Sequence, residues 1–249
     1  MKLYFNGCSF TYGDELKNPE LSAWPTLVAD HLKCNFLNDA VSGGTNDRIM
    51  YKTIQNINDY DYFFIAWTAY TRFTEYNPVD NFEINFNPNL NLDPSRHYSH
   101  DLKINYSKYK DYGQMYYTNW YNDLYEFKKW LQQIILLQSF FKKCNKPYLM
   151  LNTINNNLSL WLQTRDKFIN SIKHLLPFFN YLNDDQLLNE HDQIQQLVSM
   201  IDTSTFIKWN TWTIINLSSS YKCGPGRHIL EDGHQAVANQ VIECYNRIT

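Results

Sequence analysis

A three-layer α/β/α sandwich around a central, mostly parallel sheet is the fold this sequence predicts, and three observations carry the prediction. Short apolar runs recur at Leu3-Tyr4-Phe5, Tyr62-Phe63-Phe64-Ile65-Ala66-Trp67 and Pro147-Tyr148-Leu149-Met150-Leu151. Unbroken hydrophobicity of that kind marks parallel strands covered on both faces. Between the runs lie segments whose apolar residues repeat at helical spacing. The two kinds of segment alternate along the chain, without internal repeats or a linker of turn-forming composition.

Taken in order, residues 2–6 form a first strand that ends at Gly7. A loop with Asp14, Glu15 and Pro19 follows, then Trp24, Leu27, Val28, His31 and Leu32 at i, i+3, i+4, i+7 and i+8, an amphipathic helix with Pro25 in its tolerant first turn. Asn35–Asn38 is a candidate second strand. Ser42-Gly43-Gly44-Thr45 turns the chain, and either Thr45 or Asn46 caps a helix through Ile49, Met50, Ile54 and Ile57. The third strand is 62–67. From about 75 to 119 the sequence holds turn formers, no clean period and many tyrosines, and we read it as an insertion. A helix follows with Leu124, Phe127, Leu131, Ile134, Ile135 and Phe141 on one face, then the fourth strand at 147–151. Residues 158–202 are helical, punctuated by Pro177 and Asn183-Asp184-Asp185. A last helix from about Asp232 aligns Val237, Val241, Cys244 and Tyr245.

Composition limits the function classes. Lys and Arg number 22 against 25 Asp and Glu, a net charge of −3 with no basic run, which argues against a nucleic-acid-binding surface. Five cysteines (Cys8, Cys34, Cys144, Cys223, Cys244) form no CxxC pair, so neither a disulfide framework nor a zinc site is expected, and nothing in the pattern calls for a metal or cofactor. The expectation is a soluble, intracellular protein, since no signal-peptide pattern opens the chain and no run of about 18 apolar residues would span a membrane. Tyr (19), Phe (15) and Trp (7) are abundant, and many crowd into Tyr106, Tyr109, Tyr112, Tyr116, Tyr117, Trp120, Tyr121 and Tyr125. Such rings suit sugar faces, protein interfaces, or the packing of an insertion against the body.

Two short stretches carry candidate chemistry. Ser9 follows the first strand in Asn6-Gly7-Cys8-Ser9-Phe10-Thr11, and His228 precedes the last helix in Arg227-His228-Ile229-Leu230-Glu231-Asp232-Gly233-His234. Open α/β sheets bring such positions together at their carboxyl edge. A serine is a weak nucleophile at neutral pH, so it needs a base and donors for the oxyanion it creates.

Gly-Cys-Ser-Phe-Thr-Tyr-Gly-Asp at 7–14 resembles the first block of the SGNH/GDSL hydrolases, which holds their nucleophilic serine. Asn38-Asp39-Ala40-Val41-Ser42-Gly43-Gly44-Thr45-Asn46 resembles the second, whose glycine supplies an oxyanion donor, with Gly43 the best match. His228 with Gly233-His234 resembles the last block. The match is nearest a divergent, phage-associated branch in which Trp-Thr and a nearby Arg follow the third strand. The resemblance implies a flavodoxin-like domain spanning 1–249 with Ser9 as nucleophile, His228 as base and His234 as a structural helix-start residue. It implies an oxyanion site of Ser9, Gly43 and Thr68, with Arg72, Asp14 and Tyr70 toward the substrate.

Two departures stand out. Where the family carries Gly-x-Asn-Asp this chain reads Ala66-Trp67-Thr68-Ala69-Tyr70-Thr71-Arg72, so Thr68 or Arg72 has to replace the asparagine. Where the family carries an aspartate three residues before the histidine this chain has Pro225, so the orienting group is a backbone carbonyl or an acid from elsewhere, such as Glu231 or Asp14. The expected activity is hydrolysis of a small-molecule or glycan ester, with O-acetylated carbohydrate the favoured class. The alternatives are a non-catalytic binding or virion-associated protein on the same scaffold, and acyl transfer to an acceptor other than water.

Overall fold

The computed structural model describes residues 1–77, 82–86, 106–154, 156, 158–175 and 182–248. Four parallel strands, β1 (Lys2–Asn6), β2 (Asn35–Asn38), β3 (Tyr62–Trp67) and β6 (Tyr148–Asn152), form a sheet in the order β2-β1-β3-β6. Alternation of side chains builds two cores from these strands. Leu3, Phe5, Phe64, Ala66, Leu149 and Leu151 face α3 (Trp24–Leu32) and α10 (Glu231–Ile248) through Trp24, Val28, Val237 and Val241. Tyr4, Phe63, Ile65, Trp67 and Met150 face α4 (Asn46–Gln55) and α6 (Asp123–Lys143) through Ile49, Phe127, Leu131 and Ile134. Behind these, α8 (Arg165–Leu175) and α9 (Asp184–Ser199) add Phe168, Ile172, Leu187 and Ile194. The three-layer α/β/α prediction therefore holds. Phe5 and Phe64 stack across β1 and β3 at 4.6 Å, a ring pair that adds about 0.5–1.5 kcal/mol beyond its burial.

Helix ends follow the sequence rules. Thr45 is the cap of α4, its Oγ1 accepting from Arg48 N at 3.2 Å, while Asn46 has another task described below. Asn183 and Gln186 form a reciprocal capping box on α9. Pro177 lies outside the described residues.

The segment read as an insertion contains regular structure that its sequence did not advertise. β4 (Phe73–Asn77) and β5 (Phe82–Phe86) form an antiparallel pair, and α5 (Tyr106–Asn119) packs beside it. Phe73 stacks on Phe86 at 4.6 Å and meets Tyr116 at 4.1 Å, so aromatic contact between elements set the structure where periodicity was weak. Two short helices, α1 (Ser9–Tyr12) and α2 (Pro19–Ser22), also went unread, and α7 (Leu158–Trp161) opens the expected helical region. Among the described residues no helix is long and apolar enough to cross a membrane.

The chain runs from β1 outward to β2 and then returns to β3 on the other side of β1. That reversal opens a crevice beyond the carboxyl ends of β1 and β3, where ligands bind in folds of this kind. Ser9 follows β1 there, and Thr68 follows β3.

Candidate active site at the carboxyl edge of the sheet

Ser9 is the first residue of α1 and only 6 % exposed. The first N–H groups of a helix lack intrahelical acceptors, which leaves Ser9 N–H free to donate outward. Ser9 Oγ has no hydrogen-bond partner among the described residues. The turn that carries it is packed against Gly44: a Cβ there would lie 2.7 Å from Gly7 O and 3.3 Å from Cys8 Cα, so only glycine permits the approach. Gly44 N–H donates to Val41 O at 3.0 Å, whereas Gly43 N–H donates to no group among the described residues and its α-carbon faces open space. Cys8 is wholly buried, its Sγ 3.5 Å from Thr153 Oγ1, in keeping with a packing role.

His228 comes to the same place. Its ring lies 4.8 Å from that of Phe10, the residue after Ser9. Glu15 holds it: Oε2 accepts from His228 N at 3.1 Å and sits 3.0 Å from Nδ1, while Oε1 accepts from Gly226 N at 2.6 Å. A Cβ on Gly224 would lie 2.6 Å from Glu15 Cδ, which explains the glycine in a loop that must wrap a carboxylate. Glu15 (φ 69°) and Arg227 (φ 66°) both take left-handed backbone, a conformation costly for residues with side chains. Burial alone would raise the Glu15 carboxyl, but the bonds from Gly226, His228 N and the imidazole outweigh it and hold the group below its usual value. With Nδ1 tied to a carboxylate, Nε2 is left to exchange a proton, and no bond joins it to Ser9 Oγ in this structure. Catalytic hydrogen bonds of this kind often form only with substrate bound.

The orienting acid is thus Glu15, and neither substitute considered from sequence fills that position. Glu231 is exposed in the first turn of α10. Asp14 lies one residue from the clamp and feels the His228 charge, but it accepts from Ser42 Oγ, and burial raises its carboxyl against that bond. The sequence pattern places Glu15 only in the loop after the first strand. The signal available was its position six residues after the serine, at the close of the same glycine-containing turn.

Thr68 is fully buried, and its Oγ1 has no partner among the described residues. Its backbone is pinned: Asn46 accepts from Thr68 N at 2.9 Å and donates to Thr68 O at 3.1 Å, and Asn156 donates to the same oxygen at 3.1 Å. Arg72 is half-buried and donates from Nη1 to Gly44 O at 3.3 Å, so it turns toward the serine loop. Arg72 forms no ion pair with Glu75, which accepts from Tyr112, and Asp80 lies outside the described residues. Tyr70 is not gathered into the crevice. It is 8 % exposed, packs edge-on against Phe127 and donates to Asp123 Oδ2 at 3.0 Å, with burial pushing its hydroxyl up.

His234 takes the structural position the resemblance implied. Fully buried, it accepts at Nδ1 from Trp24 N at 3.1 Å and so serves the start of α3, whose own cap residue, Ala23, has no side-chain acceptor. Burial, helped by the His228 charge, lowers its pKa to about 4, so the ring stays neutral near pH 7.

The sequence profile of a family of unknown function, DUF6071, matches residues 13–173. The chain belongs to that family. The matched stretch takes in Glu15, Gly43, Thr68 and Arg72 and leaves Ser9 and His228 on either side. No curated protein is similar to the chain in sequence. Among solved structures, an esterase from Pseudoalteromonas sp. is similar at 8 % identity, with 99 % of this chain and 97 % of that one covered and a TM-score of 0.46. A lipolytic protein of the G-D-S-L family from Veillonella parvula is similar at 13 % identity, with both chains covered in full and a TM-score of 0.45. An acetylxylan esterase from Geobacillus stearothermophilus is similar at 13 % identity, with 97 % of this chain and 92 % of that one covered and a TM-score of 0.47.

Proposed function

We propose that the protein is a serine ester hydrolase, a divergent relative of the SGNH/GDSL group, working through Ser9, His228 and Glu15. The observation that carries this reading is the Glu15 clamp on His228 beside Phe10, because it supplies the orienting acid whose absence from position 225 argued against catalysis. Ser9 Oγ attacks the ester carbonyl carbon while His228 Nε2 takes its proton. The tetrahedral intermediate collapses with loss of the alcohol, which receives that proton. Water, deprotonated by the same imidazole, then attacks the acyl-serine, and the carboxylic acid leaves as Ser9 recovers its proton. Glu15 holds the ring in the tautomer that presents Nε2 and stabilises the imidazolium that forms. Ser9 N–H and Gly43 N–H are the backbone donors assigned to the oxyanion, and the Thr68 hydroxyl takes the place of the family's asparagine.

The test is labelling with a fluorophosphonate, followed by mass spectrometry of the modified peptide. Label on Ser9 that disappears in both Ser9→Ala and His228→Ala supports the assignment. Folded wild-type protein that takes no label would overturn it and leave the non-catalytic alternative in its place.

A further inference from the structure

We infer that Arg72 makes the site selective for esters whose acyl portion carries an anionic group, a specificity that rests on the hydrolase reading above. The Arg72 guanidinium contacts Gly44 O, and Gly44 is itself packed on Gly7 and Cys8, so a fixed positive charge stands one glycine away from the nucleophile's turn. Its fork has five donors, of which this contact uses one.

The described carboxylates Glu75, Asp47 and Asp123 are engaged elsewhere. Glu75 accepts from Tyr112, Asp47 is held by Lys129, Gln133 and Thr74 N, and Asp123 takes Tyr70 and Tyr121. No described carboxylate lies within salt-bridge distance of Arg72. Tyr117 stands beside it, with its hydroxyl donated to Thr71 O, and burial keeps that phenol protonated against the pull of the arginine charge. Among the described residues, then, no carboxylate neutralises the guanidinium. A half-buried arginine remains charged at any working pH, and an unpaired charge out of water is unfavourable unless an anion completes it. A carboxylate suits the planar fork with two parallel bonds.

Asp14, bonded by Ser42, lies near His228, and His228 must deliver its proton to the departing alcohol. In the proposed binding mode the alcohol departs beside His228, and the anionic end of the acyl chain reaches the Arg72 guanidinium. Half-esters of dicarboxylic acids have this chemistry.

Three chromogenic esters test it: 4-nitrophenyl hemiglutarate (anion on the acyl side), 4-nitrophenyl valerate (neutral), and a carboxylated nitrophenyl acetate (anion on the leaving side). Wild-type protein is expected to favour the hemiglutarate over the valerate in kcat/KM by at least about tenfold, the range for a hydrogen bond to a charged group. Arg72→Gln is expected to erase most of that ratio through KM, Arg72→Lys to keep part of it, and the leaving-side anion to gain nothing. Binding of glutarate itself, measured by calorimetry on Ser9→Ala with and without Arg72→Gln, reads the anion site without turnover. Ser9-dependent hydrolysis with no preference for the anion, or equal losses on both acyl esters in Arg72→Gln, would overturn the specificity and leave the hydrolase standing. Arg72-dependent glutarate binding without hydrolysis of any ester would keep the anion site and remove the hydrolase. Failure of both removes both.

Discussion

The crevice edge formed by residues 7–15 and 222–230 and the aromatic segment formed by β4, β5 and α5 both drew notice in the sequence, for different reasons. The first drew it through a few residue types in a fixed order, the second through sheer density of tyrosine. Structurally they are opposites. At the crevice edge Ser9 Oγ and His228 Nε2 have no partner among the described residues, and an acid clamps the far side of the imidazole. In the aromatic segment Tyr116 donates to Glu126, Tyr117 to Thr71 O and Tyr112 to Glu75, and just beyond α5 Tyr121 donates to Asp123. Polar atoms left unused beside atoms firmly held mark a place for chemistry, whereas polar atoms that close on one another mark packing.

The largest test of this contrast is Glu15→Gln. An amide still accepts from one backbone N–H of the 226–228 loop, so the fold is expected to survive, but it cannot stabilise an imidazolium. By analogy with loss of the acid from other serine triads, kcat for ester hydrolysis is expected to fall roughly 10²–10⁴-fold in protein that stays folded, with a thermal midpoint lowered by loss of the ionised clamp. Unchanged turnover with a lowered midpoint would make Glu15 a loop staple only. A pH titration of stability sharpens the result. Because the folded carboxyl sits below its unfolded value, the clamp stabilises fully above about pH 4.3 and is lost as pH falls through the lowered folded value. In Glu15→Gln that segment of the stability curve is expected to flatten.

How much of this was legible beforehand depends on how local each cause is. The strands at 2–6, 35–38 and 62–67, the helix with Pro25, and the cap at Thr45 follow from neighbours in sequence, and all are present. The β4–β5 pair was not, because Phe73 and Phe86 are held by each other and by tyrosines some 30–40 residues on, a tertiary cause that no short window contains. The same holds in the crevice. The resemblance pointed to Ser9, Gly43 and His228, but it pointed to position 225 for an acid, and the carboxylate that meets His228 comes from residue 15, more than 200 residues away. Tyr70 shows the converse error, a polar aromatic near the right strand end that the fold turns inward to Asp123.

A middle-sized effect is expected on the packing side. Tyr116→Phe removes a 2.6 Å bond to Glu126, a carboxylate only 4 % exposed. Hydrogen bonds to charged groups contribute about 1.5–3 kcal/mol, and the loss should show as a lower thermal midpoint while turnover of a small ester is retained. A collapse of turnover at unchanged stability would move this segment into the site and dissolve the contrast.

The smallest effect concerns the part of the segment that does face water. Trp120 is 73 % exposed and Tyr125 62 %, and neither closes on a partner strand or helix in the way Tyr116 and Tyr117 do. Trp120→Ala is expected to change stability by no more than about 0.5 kcal/mol, the ordinary range for a surface substitution, because little apolar area is recovered from water on folding. Turnover of a soluble chromogenic ester should be equally indifferent. The informative arm is an acetylated polysaccharide offered in parallel: a loss of activity there alone would give the exposed rings a sugar-holding role separate from the buried tyrosines. Rates unchanged from wild type on both substrates would mean that the exposed ring at Trp120 takes no part in holding either one.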